Sequence, residues 1–113
     1  MRRTADSRSA NDPAVPGDAY VFSAPLWRWP AKDAWHFLSL PADVTDDIDA
    51  RWGRTGGFGA VPVEVSIGAT TWRTSLFPDA KRGCYVLPVK KAVRVAEGLA
   101  EGTVAEVELR VRE

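Results

Sequence analysis

The stretch GCYVLPVKKAVRVAEGLAEGTVAEVELRV, residues 83–111, decides how the rest of the chain is read. An apolar run, CYVLPV, ends in a Leu-Pro step, and a short basic segment with helical spacing, KKAVRVAE, follows. Proline is favoured where a helix starts, and Gly98 stands where a helix is usually stopped. The closing segment then alternates. Val107, Leu109 and Val111 interleave with Glu106, Glu108, Arg110 and Arg112, so period two gives it one apolar face and one wet face. The unit is strand, helix, strand.

The same order occurs earlier. AWHFLSL is a strand, and PADVTDDIDARWG switches to helical spacing with Val44 and Ile48 four apart, acids in the first turns and Gly53 as the stop. After the loop RTGGFG, Val61, Val63, Val65 and Ile67 alternate with Pro62, Glu64 and Ser66. IGATTW turns the chain tightly into TTWRTSLF, and PDAKRG makes a longer hairpin loop into CYVLPV, so the middle is a meander. Ahead of all this, YVFSAPLWRW places Tyr20, Phe22, Ala24 and Leu26 on one face, with Pro25 marking an edge or bulge. Residues 1–18 have no hydrophobic periodicity and read as a flexible tail, with the domain over 19–113. Set side by side, FLSLPADVTDDID…VPVEVSI and CYVLPVKKAVRVAEG…VAEVELRV suggest an internal repeat. Two copies about a pseudo-twofold would close a small barrel with its helices outside, removing exposed edges. Independent strand-helix-strand units would share the pattern too.

A chain of 113 residues forms one domain and buries a core without staples. Its 15 basic and 15 acidic side chains cancel, so no global field draws it to nucleic acid or to a membrane surface. Cys84 is the one cysteine, which excludes an internal disulfide and fits a reducing cytoplasm. No apolar run is long enough to span a bilayer, and the segment after Arg2 and Arg3 lacks the apolar stretch of a signal peptide.

Nucleophile elbows, phosphate-binding glycine loops and zinc-protease motifs are missing, so neither a catalytic residue nor a metal or other cofactor is expected. His36, between Trp35 and Phe37, reads as a structural or surface histidine ahead of a general base, and Cys84 as a small apolar strand residue without an evident base. The local charge is more informative. Arg73, Lys81, Arg82, Lys90, Lys91 and Arg94 fall within 22 positions holding one acid, Asp79, a balance of +5 in a neutral chain. Alternation puts Arg73 beside Ser75, which presents a guanidinium fork and a hydroxyl together. Lys90 and Lys91 lie where a helix begins. Arg73, Ser75, Lys90, Lys91 and Arg94 are therefore the candidate ligand-binding set for an anion, against the plainer reading of a solvated charged face. The five tryptophans offer either a stacking platform or, as expected in a small domain, mostly core.

The second unit, YVLPVKKAVRVAEGLAEGTVAEVEL, resembles the swapped-hairpin DNA-binding domains of the AbrB and MazE type. Across about 90 residues, from YVFSAPL through WRTSLFP and GCYVLPVKKAVR to VAEVELRV, the chain more closely resembles the DUF1905 family of unknown function. That resemblance implies a mainly β fold: a small closed double-split β-barrel of two fused AbrB-like halves, with two short helices. It implies no assigned activity. The function expected is a non-enzymatic binding module for a small anionic ligand or a protein partner, as a monomer or weak homo-oligomer with no membrane role. AbrB-like DNA binding is the alternative, opposed by the neutral charge and by an acidic helix, Asp43 to Asp49, on one of the two halves. A small enzyme using Ser75 or Cys84 with Arg73 is third, and it lacks a base.

Overall fold

Alternating apolar residues pair into seven antiparallel strands in the computed structural model of the chain, which describes residues 19–30, 35–52 and 59–112. In chain order these are β1 (Ala19–Pro25), β2 (Trp27–Arg28), β3 (His36–Ser39), β4 (Val61–Ile67), β5 (Thr70–Asp79), β6 (Cys84–Pro88) and β7 (Val104–Val111). Helix α1 (Ala42–Trp52) follows β3, and α2 (Lys91–Glu97) follows β6. The expected tail over residues 1–18, the Gly53 stop and the loop over 54–58 lie outside the described residues.

The strand order is β1-β7-β4-β5-β6-β3-β2, and the sheet curls into a half-barrel that carries the two helices. Two long stretches of chain change partner along their length. Residues 19–25 pair with β7, and after Leu26 alone Trp27 and Arg28 pair with β3. Residues 70–76 of β5 pair with β4, while Phe77, Pro78 and Asp79 pair with β6. Pro25, expected at an edge or bulge, is the last β1 residue before this change.

The core follows the alternation. Ala105, Val107, Leu109 and Val111 of β7 are buried and Glu106 and Glu108 exposed; Val61, Val63, Val65 and Ile67 of β4 point the same way inward. Phe22 and Ala24 of β1 and the Leu26 that follows it join them, as do Leu38 of β3, Leu76 of β5 and Tyr85 and Leu87 of β6. The two-residue turn from Ile67 to Thr70 needs Gly68, whose φ of 57° is left-handed. That turn abuts the end of α2, where Thr70 Oγ1 donates to Glu97 Oε2 at 2.6 Å.

Helix α1 buries Val44, Thr45 and Ile48. Its polar groups attach it to the sheet: the Tyr85 amide donates to Thr45 Oγ1 at 3.3 Å, the Tyr85 hydroxyl to Asp49 Oδ1 at 3.3 Å, and the Tyr20 hydroxyl to Asp47. Burial raises the Tyr85 pKa, and the neighbouring Asp49 charge raises it further. Helix α2 starts at Lys91 with Lys90 as an extended N-cap that makes no side-chain cap bond, and ends at Gly98 with φ 65°. Its seven residues bury Val93.

Candidate binding groove

Strand pairing gives β3 and β6 a second apolar face. With Leu38 and Leu87 directed to the core, period two sends Phe37, Ser39, Val86 and Pro88 outward, and Phe77 follows opposite Leu76. Phe37 and Val86 are nonetheless buried, Phe37 under aromatic neighbours. The Phe37 ring centroid lies 5.1 Å from that of Trp27, 6.0 Å from Trp29 and 6.3 Å from Trp35. Trp27 and Trp29 are 6.1 Å apart. A main-chain bond from Trp29 N to Trp35 O, 3.0 Å, holds the two short segments together, and Trp27 Nε1 donates to Ser39 Oγ at 2.9 Å.

Trp29, Trp35 and Phe37 of this row border a groove of about 940 Å³, within the size range of small-molecule sites. Trp29, Trp35, Phe37, Phe77, Pro78 and Pro88 form its apolar surface, and Lys90, Lys91 and Arg94 border it from the start of α2, with Lys81 from the β5–β6 loop. Trp35 and Phe77 are the open parts, 54% and 46% exposed. Lys90 and Lys91 are exposed and make no ion pair among the described residues. Arg94 is half-buried and donates from Nε to Val89 O at 3.2 Å, which directs its guanidinium along the helix start. The carboxylate bordering the groove, Asp79, is paired at 3.0 Å with Arg82.

Three of the five expected ligand-binding residues therefore come together: Lys90, Lys91 and Arg94. Arg73 and Ser75 do not border the groove. They lie on the half of β5 that pairs with β4, where Arg73 is opposite Glu64 with Nε 3.9 Å from Oε2, and Ser75 is opposite Pro62. His36 is at the rim, its carbonyl accepting the Val89 amide at 3.0 Å and its Nδ1 buried without a hydrogen-bond partner. Cys84 is a half-buried free thiol in a neighbouring cleft beside Asp46, Asp49 and Tyr85. Among the described residues, no group of three or more His, Cys, Asp and Glu side chains is placed to hold a metal ion, and no helix is long and apolar enough to cross a membrane.

The tryptophans, expected to be mostly core, divide: Trp27, Trp29 and Trp35 lie on the outer face, because the chain along β2 and β3 turns those positions away from the core. The signal is in the sequence: Trp27 and Trp29 are out of phase with Leu26, and Trp35 and Phe37 with Leu38, so both pairs belong to the outward face. Trp72, by contrast, is in the core and Trp52 packs against it.

Fold and groove together define a small, mainly β domain with two helices and an aromatic cleft on the outside of its sheet. The chain belongs to the DUF1905 family, a domain of unknown function, whose family model matches residues 22–109. That span runs from β1 into β7 and includes both helices and the whole groove. No curated protein matches the chain.

Proposed function

We propose that the protein is a non-enzymatic binding module and that the groove beside α2 is its site, taking a small anionic ligand. One observation carries this reading: a solvent-open aromatic cleft bordered by Lys90 and Lys91, two exposed cations without an ion pair among the described residues. Exposed aromatic area next to unneutralised charge favours a guest that offers an apolar surface and a negative group together. The helix dipole adds little in a helix of seven residues, so the argument rests on the side chains. A protein partner presenting an acidic segment is the second reading, favoured by the exposure of Trp35 and Phe77.

The same proposal takes the sheet as a closed double-split barrel of two related halves. What supports it is the pairing: β3 pairs with β6 and β4 with β7, while β5 bridges β4 and β6 as the β1–β2 stretch bridges β7 and β3. The free thiol of Cys84 suits a reducing cytoplasm, and the module is taken to act as a monomer or weak homo-oligomer.

A thermal-shift panel of inorganic and organic anions at constant ionic strength tests the binding reading. Anions that bind the native state raise its melting temperature by mass action. The rise is expected to be lost in Lys90→Ala and retained in Arg73→Ala. A flat panel rejects the site, and equal loss in both variants moves it away from the groove.

A further inference from the structure

The aromatic row is covered at Trp27, beyond the groove, and exposed at Trp35, within it, and that asymmetry constrains what fits. At one end of the aromatic row, Trp27 is closed: the Arg82 guanidinium carbon lies 3.7 Å from its ring centroid, and Asp79 accepts from that guanidinium at 3.0 Å. Phe37, in the middle, is 8% exposed. The most exposed aromatic surface is at Trp35 and Phe77, and Lys90 and Lys91, which like Lys81 make no ion pair among the described residues, border the same groove. Stiff, flat groups line it: indoles, phenyl rings and the pyrrolidine faces of Pro78 and Pro88. Such walls meet another flat ring with more contact than a flexible chain gives, and ring-on-ring contact adds to simple area burial. Asp79 does not oppose an incoming anion strongly, because Arg82 neutralises it.

We infer that the groove takes a flat aromatic anion: a fused or single ring system seated against Trp35 and Phe77, carrying a carboxylate or phosphate that meets Lys90 and Lys91. The inference rests on the binding reading above and specifies its ligand class. Charge alone would be satisfied by any anion on the lysines, and the apolar cleft would then stay wet. A neutral ring would leave both ammonium groups without a partner.

The test uses the full chain and four probes at fixed ionic strength: 2-naphthoate, 2-naphthyl phosphate, cyclohexanecarboxylate and 2-naphthalenemethanol. Binding is followed by shifts of the Trp35 indole N–H and the Lys90 and Lys91 amides in proton–nitrogen correlation spectra. At least one naphthyl anion is expected to bind about tenfold tighter than cyclohexanecarboxylate and than the neutral alcohol, and the better of the two identifies the headgroup. Trp35→Ala and the double change Lys90→Ala with Lys91→Ala are each expected to weaken it roughly fivefold or more, by loss of ring stacking and of charge respectively. All three residues are exposed, so the variants keep the core. Arg73→Ala is expected to bind as the parent chain does. Equal affinity for cyclohexanecarboxylate overturns the aromatic class while leaving an anion site. Equal affinity for 2-naphthalenemethanol overturns the role of charge and with it the anion-binding reading. Absence of binding by all four overturns both.

Discussion

Arg82 covers the Trp27 ring at 3.7 Å, and it is held in that position by Asp79, three residues earlier. Asp79 also accepts the amides of Lys81 at 3.0 Å and Arg82 at 3.2 Å, so one carboxylate folds the hairpin loop and fixes the cap on the aromatic row.

That arrangement predicts a pH response. Desolvation works against the Asp79 charge, but the hydrogen bonds and charge of Arg82 and the Lys81 amide outweigh it and hold the carboxyl below its ordinary 3.8. A carboxyl with a lowered folded pKa contributes stability above its unfolded value, and the contribution is lost as pH falls from 3.8 through the folded value. The Trp27 indole N–H resonance is expected to shift in that acid window as Arg82 is released. Asp79→Asn is expected to remove the step. A step that persists in the variant would assign it to another carboxyl.

Gly68 is expected to resist substitution for two separable reasons. Its φ of 57° strains any L side chain by roughly 1–2 kcal/mol. A Cβ would also lie 2.0 Å from Glu97 Oε1, forcing that carboxylate off Thr70. Gly68→Ala measured by denaturant unfolding in the parent and in a Glu97→Ala background separates the terms. The cost is expected to be smaller in the second background; equal costs would leave backbone strain as the whole effect.

Adjacent residues of β7 are expected to differ sharply. Leu109 is fully buried, and truncation to Ala is expected to cost about 2–5 kcal/mol. Glu108 is solvent-facing and pairs with Arg110 at 3.1 Å, an exposed contact whose loss in Glu108→Ala costs under about 1 kcal/mol. Equilibrium unfolding of both variants checks the register, and comparable losses would contradict it.

Duplex DNA is expected to bind no tighter than the non-specific range, about 10⁻⁴ to 10⁻⁶ M at physiological salt. The cations of the groove sit beside exposed aromatic surface rather than along a basic stripe, and α1 carries Asp43, Asp46, Asp47 and Asp49. A sequence-specific nanomolar complex in a gel shift would put AbrB-like DNA binding ahead of the anion-binding reading.

Much of this architecture is legible along the chain. The alternation at Val61–Ile67 and at Ala105–Val111 determines two central strands and their inward faces, because a buried sheet face imposes period two whatever its neighbours are. Spacing and glycines bound α2, and Gly68 marks the tight turn, since these are local demands of backbone geometry. Lys90, Lys91 and Arg94 share a helix start and so remain together in any fold. Only the tertiary structure separated Arg73 and Ser75 from them. β5 changes partner after Leu76, so its first half faces β4 and Glu64 while Phe77 and beyond face β6 and the groove. Strand partners are chosen by long-range packing, which nearness in sequence does not encode. The same holds for the tryptophans. Their phase against Leu26 and Leu38 is written in the sequence, but it takes β2, β3, β6 and the end of β5 side by side to turn outward rings into one aromatic cleft.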